Sequence, residues 1–183
     1  MDVPHRVEHV SDDVGMKDRQ LIDDERAAWC VIVEEIRDQA LAGRACVAVL
    51  DVMRPRIARA SIDAFTDSRK VIMPEAKAAE DELAHLSSVQ RRGQRFMRRP
   101  RRGMNVELDA PSDHEWLLLA RYAPWSINVD LYDDHDNHIG TLHDCAFDIT
   151  IKLSPDEAAG VAADLEGFLH LETYARWRAR GSR

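Results

Sequence analysis

Residues Trp125 to Leu153 read WSINVDLYDDHDNHIGTLHDCAFDITIKL, two alternating runs around an acidic, histidine-bearing turn. Ile127, Val129 and Leu131 fall on one face of an extended strand, with Asn128, Asp130 and Tyr132 on the other. After the turn, Phe147, Ile149, Ile151 and Leu153 repeat the period of two, and Asp148, Thr150 and Lys152 face the opposite way. A sheet built from such strands buries one face and leaves the other for solvent or a site. Asp133 to His138, with Gly140, supplies residues that tolerate unusual backbone angles, so a hairpin is the natural connection. A turn centred on Asp136 and Asn137 sets His135 opposite His138, Leu131 opposite Leu142 and Asp130 opposite His143. Leu142 then shares the face of Leu131, whereas the apolar positions from Phe147 onward have the other parity. The period must slip by one residue within His143 to Ala146, which reads as a β-bulge or tight bend.

Downstream, Ser154 precedes Glu157 by three residues with Pro155 between them, the capping-box arrangement with proline at the first helical position. The helix that follows carries an inner stripe of Val161, Leu165, Phe168 and Leu169 and is expected to run to about Trp177. Upstream, MNVELD and EWLLLARY read as two further strands. Residues 104–183 therefore form an antiparallel β-meander with a C-terminal helix packed on one face, a two-layer unit small enough to need the N-terminal helices or a second copy as support. Met104 stands at its start and is compatible with initiation there.

The first half reads as helical. From Lys17 to Leu41, Ile22, Trp29, Val33, Ile36 and Ala40 follow helical spacing, and Gly43 sits where such a helix would stop. Ala45 to Met53 has a composition that suits either a strand or a buried helix. The helix is favoured, kinked at Pro55 and continuing through Ile57, Ile62 and Phe65. Pro74 opens another helix, with Glu75, Glu80, Asp81 and Glu82 near its start and Leu83, Leu86 and Val89 along it. Seven arginines then crowd between Arg91 and Arg102, broken by Gly93 and Pro100, as in an exposed linker. The expected organisation is a flexible N-terminus at 1–16, an α-helical region at 17–90, an arginine-rich linker at 91–103 and the meander at 104–183. The fold class is α+β.

The chain has 183 residues, 45% of them hydrophobic and 32% charged, with a formal net charge of −8; it is a globular composition. No apolar run is long enough to span a membrane, and the opening MDVPHRVEHVSDD lacks the basic-then-apolar pattern of a secretory signal. The expected compartment is the cytoplasm, with no membrane partner. The three cysteines, Cys30, Cys46 and Cys145, are too far apart for a CxxC zinc site and too few for a disulfide framework, so they are expected as reduced, buried thiols. A net charge of −8 opposes general attraction to nucleic acid, so any such contact would be local. The chain contains neither GxxxxGK[ST] nor GxGxxG, and no GxSxG elbow, which sets aside the standard nucleotide and serine-hydrolase signatures.

Three candidate sites remain. His135, His138, His143 and Asp144, with Asp130, Asp133 and Cys145 nearby, offer donors for a divalent metal if the hairpin brings them together. Asp130 facing His143 would raise the basicity of the imidazole as a general base requires, although no nucleophile accompanies the pair. Arg91, Arg92, Arg95, Arg98, Arg99, Arg101 and Arg102 could grip phosphates while Phe96 stacks on a base. No catalytic residue and no cofactor is assigned. The leading expectation is a non-enzymatic binding or regulatory protein acting through protein–protein contacts as a homodimer. Its rivals are a metal-dependent hydrolase or nuclease using the His/Asp-rich hairpin, and a nucleic-acid-binding protein using the arginine run.

Overall fold

The computed structural model describes residues 27–32, 38–64, 72–93 and 103–181. Its strands are β1 (Ala28–Ile32), β2 (Arg59–Ile62), β3 (Val106–Asp109), β4 (Asn128–Tyr132), β5 (His138–His143), β6 (Asp148–Leu153) and β7 (Leu171–Thr173). Its helices are α1 (Gln39–Met53), α2 (Pro74–Gly93), α3 (Asp113–Tyr122), α4 (Pro155–Asp164) and α5 (Tyr174–Gly181). The fold is α+β. One seven-stranded sheet has the order β3-β2-β4-β5-β6-β1-β7, and every pairing in it is antiparallel. Strands from both halves of the sequence interleave in it, β2 between β3 and β4 and β1 between β6 and β7.

Alternation builds the core. Ala60, Ile62, Val129, Leu131, Leu142, Ile149 and Ile151 share one face, where they join a single buried cluster with residues of α1 to α4. In α1 the buried stripe is Ala42, Ala45, Cys46, Val49, Leu50 and Met53, the i, i+3, i+4, i+7 spacing that lays one helical face on a sheet. Asp38 caps this helix, its side chain accepting from Ala40 N. In α4 the expected capping box is present: Glu157 N donates to Ser154 Oγ at 3.3 Å and Ser154 N donates to Glu157 Oε2 at 2.7 Å. Such a cap is worth about 1 kcal/mol.

Several local expectations are corrected. Ala28–Ile32, expected as part of a helix from Lys17 to Leu41, is a strand that pairs β6 on one side and β7 on the other. The spacing of Trp29 and Val33 fits a helix, but Cys30 and Ile32 alternate with Trp29 and Val31 equally well, and two-sided pairing decides between the periods. Gly43 lies inside α1 rather than beyond a helix end. The chain does not continue as a helix past Pro55; a single 3-10 turn, Arg54–Arg56, leads into β2. EWLLLARY is helical, not extended, because Ser112 caps α3 by accepting from Glu115 N and Asp113 and Glu115 occupy its first turn. The last helix breaks after Asp164; Gly167, at φ +84°, turns the chain into β7 before α5 begins. Arg91 and Arg92 continue the backbone of α2, while Arg95, Arg98, Arg99, Arg101 and Arg102, the expected flexible segment at 1–16 and residues 17–26, 33–37 and Phe65 lie outside the described residues.

The slip of parity after Leu142 is a chain reversal. Strand β5 ends at His143 and β6 starts at Asp148, with a turn between them in which Asp144, Cys145 and Ala146 have φ of 49°, 62° and 59°. Three successive left-handed residues without a glycine are costly. The turn is pinned by Asp144 N donating to Ile127 O at 3.0 Å and Cys145 N donating to Ser126 O at 2.8 Å.

The two sheet edges differ. On β3, Gln90 clamps Glu107 through both amide atoms, with Nε2 donating to the carbonyl at 2.6 Å and Oε1 accepting from the N–H at 3.2 Å. Asp109 N donates to Glu115 Oε2, and its carbonyl accepts from Ser112 N. An edge so occupied is closed to a further strand. At the other edge, α5 folds back from β7 so that Arg180 pairs with Glu172, whose side chain shares the face of Val31. Among the described residues no helix is long and apolar enough to cross a membrane.

Candidate functional site

The face of the sheet opposite α1 to α4 carries a cluster of polar and aromatic side chains around Asp130. In register, Asp130 lies opposite Ser61 on β2 and Thr141 on β5. Its Oδ2 accepts from Asn128 Nδ2 at 2.8 Å and its Oδ1 accepts from Thr141 Oγ1 at 2.9 Å. His138 Nε2 stands 3.3 Å from Asp130 Oδ1 and 2.9 Å from Thr141 Oγ1. With Nε2 protonated the triangle is satisfied: the threonine hydroxyl donates to the carboxylate and accepts from the imidazole.

A β-bulge delivers His138 to this place. Leu131 pairs with Gly140 and Tyr132 with His138, which leaves Ile139 as the extra residue. Ile139 turns into the core, fully buried, and His138 turns onto the face of Tyr132, the re-aiming that bulges produce. The expected register is therefore corrected by two residues: Leu142 faces Val129 and His143 faces Asn128. Asp130 meets His138, not His143, which lies exposed beside Asp148.

Aromatic rings extend the cluster. His138 sits between Trp29, 5.7 Å away and tilted, and Tyr132, 5.6 Å away and edge-on. The guanidinium of Arg59 lies 4.0 Å over the Tyr132 ring, a cation–π contact, and pairs with Glu107 and with Asp136 at 2.8 Å. The hydrogen bond that Arg59 donates to Asp136, assisted by Glu107 and opposed by partial desolvation, holds Arg59 firmly protonated.

The hairpin tip is separately organised. Asp133 Oδ1 accepts from the backbone N–H of His135 at 2.9 Å and of Asn137 at 2.8 Å, and its Oδ2 accepts from Asn137 Nδ2 at 3.0 Å. Partial burial pushes this carboxyl up, but the bonds from Asn137 and His135 outweigh it and leave Asp133 below the usual carboxylate range. Among the described residues, Asp133, Asp134 and His135 are the donors that could share a metal ion, with ligand atoms within 4.8 Å of one another. His138, His143 and Asp144, the other metal candidates from the sequence, stand outside that group: His138 is held at Asp130, His143 ends β5 and Asp144 belongs to the left-handed turn.

The geometry limits the chemistry. In a hydrolytic relay one imidazole nitrogen faces the nucleophile and the other faces the carboxylate. Here Nε2 faces both Thr141 and Asp130, so the triangle fixes a ring in place and presents aromatic surface. None of the three cysteines is in a disulfide, and all three are buried. Burial, then the nearby charge of Asp51, pushes the Cys46 thiol far up, and burial raises Cys30, so neither supplies a thiolate.

A second feature lies on the helical side. The outward stripe of α1, Ala40, Gly43, Arg44 and Val47, floors a cleft of about 760 Å³ walled by Met73, Trp125 and Phe168. Sequence reasoning placed Trp29 on a helix and singled out neither Arg59, Thr141 nor this cleft. The outward spacing along α1 was the available signal, and it becomes readable only once Ala45 to Met53 is known to be helical. No protein-family model, no curated protein and no solved structure matches the chain.

Proposed function

We propose that the chain is a non-enzymatic binding protein, regulatory in character, that acts through protein–protein contacts as a cytoplasmic homodimer. The observation that carries this reading is the grouping of exposed large apolar side chains. Trp29, Tyr174 and Trp177 gather where β1 meets α5, and Val47 and Met73 gather at the α1 cleft. Val89, Leu117 and Ile127 are exposed as well, and single exposed residues need no explanation. Grouped aromatic side chains on a soluble protein suit an interface. The closed Asp130–Thr141–His138 triangle supports the same reading, since it leaves no nucleophile activated. Native mass spectrometry and light scattering test it. A dimer, or a stoichiometric protein partner retained on purification, supports it, whereas a monomer at every concentration that captures no protein overturns it.

A metal-dependent hydrolase or nuclease is the second reading, favoured by the convergence of Asp133, Asp134 and His135 at the hairpin tip. It requires a stoichiometric divalent metal that is lost on His135→Ala; calorimetric titration with zinc, manganese and magnesium decides it. Nucleic-acid binding through Arg91 to Arg102 is a third reading, to be met by binding that weakens steeply with salt and disappears when those arginines are neutralised.

A further inference from the structure

We draw no further inference here: the strongest candidate, the cleft of about 760 Å³ on the outward stripe of α1, is walled in part by Met73, close in sequence to residues 65–71 outside the described residues, and nothing in the structure shows what covers it.

Discussion

Replacing Gly140 by alanine tests how the bulged strand is fitted to its neighbours. Gly140 faces Leu131 on β4 and Ile151 on β6. A Cβ there would stand 3.0 Å from Ile151 Cγ2, 3.4 Å from Leu131 Cδ1 and 3.6 Å from Thr150 O. Two effects compete. Alanine restricts the unfolded chain more than glycine, a gain of about 0.4–1 kcal/mol wherever the native backbone suits it. An extra methyl in a filled core costs about 1–3 kcal/mol. Ile151 is fully buried, and its Cγ2 is attached directly to the branch point, so the stiff χ1 of a β-branched residue allows it to retreat only with the strand. The overpacking therefore wins, and Gly140→Ala is expected to destabilise by about 1–2 kcal/mol, read as a lower urea midpoint at unchanged slope. A double-mutant cycle isolates the cause. Ile151→Val keeps Cγ2 and should add to Gly140→Ala within about 0.5 kcal/mol, whereas Ile151→Ala removes that methyl and should shrink the cost of the alanine. Stabilisation by Gly140→Ala, or an unchanged cost in the Ile151→Ala background, refutes the reasoning.

The left-handed turn offers a contrast between neighbours. Asp144 is exposed at φ 49°, so Asp144→Gly should relieve about 1–2 kcal/mol of backbone cost against about 0.5–1 kcal/mol of glycine entropy, for a net gain of about 0.5–1 kcal/mol. Ala146 at φ 59° is fully buried, so Ala146→Gly forfeits about 0.8 kcal/mol of methyl burial and should be near neutral; urea midpoints that rank the two variants the other way contradict this. The third prediction concerns acid. Asp133 is held below the usual carboxylate range in the folded chain, so its contribution is fully present above the unfolded carboxyl pKa of about 3.9 and is lost as pH falls through the lower folded value. The stability difference between the wild type and Asp133→Ala should be level near neutrality and narrow at acid pH, and a difference constant throughout the acid range would show that the carboxylate's charge is irrelevant to its turn.

The readable parts of this fold are those where one local signal acts alone. Ser154 with Glu157 predicts α4 because a capping box satisfies the first-turn N–H groups whatever the helix packs against. Period two in β4 and β6 holds because each of those strands buries one face. The misread parts are those where a local pattern fits two periods and a distant partner decides. Ala28–Ile32 accommodates helical spacing, yet β6 and β7 on its two sides require an extended chain. EWLLLARY has strand composition, but Ser112 and Glu115 repeat the S-x-x-E spacing of Ser154 and Glu157, and that local cap outweighs three consecutive leucines.

The candidate site depends on a residue that carries no chemistry. Alternation set Asp130 and Tyr132 on the polar face, but it could not bring His138 to them, because an unbroken β5 puts His138 on the same side as Gly140 and Leu142. One extra residue, Ile139, changes the parity of everything before it. The bulge has no composition signal of its own: it goes with Gly140, where an added Cβ would stand 3.0 Å from Ile151 Cγ2 and 3.4 Å from Leu131 Cδ1, and with a core that accepts both Ile139 and Leu142 fully buried. The partner of Asp130 is thus chosen by packing on the other side of the sheet. Perturbing Gly140 should accordingly disturb the Trp29–His138–Tyr132 stack across the sheet as well as the core beneath it.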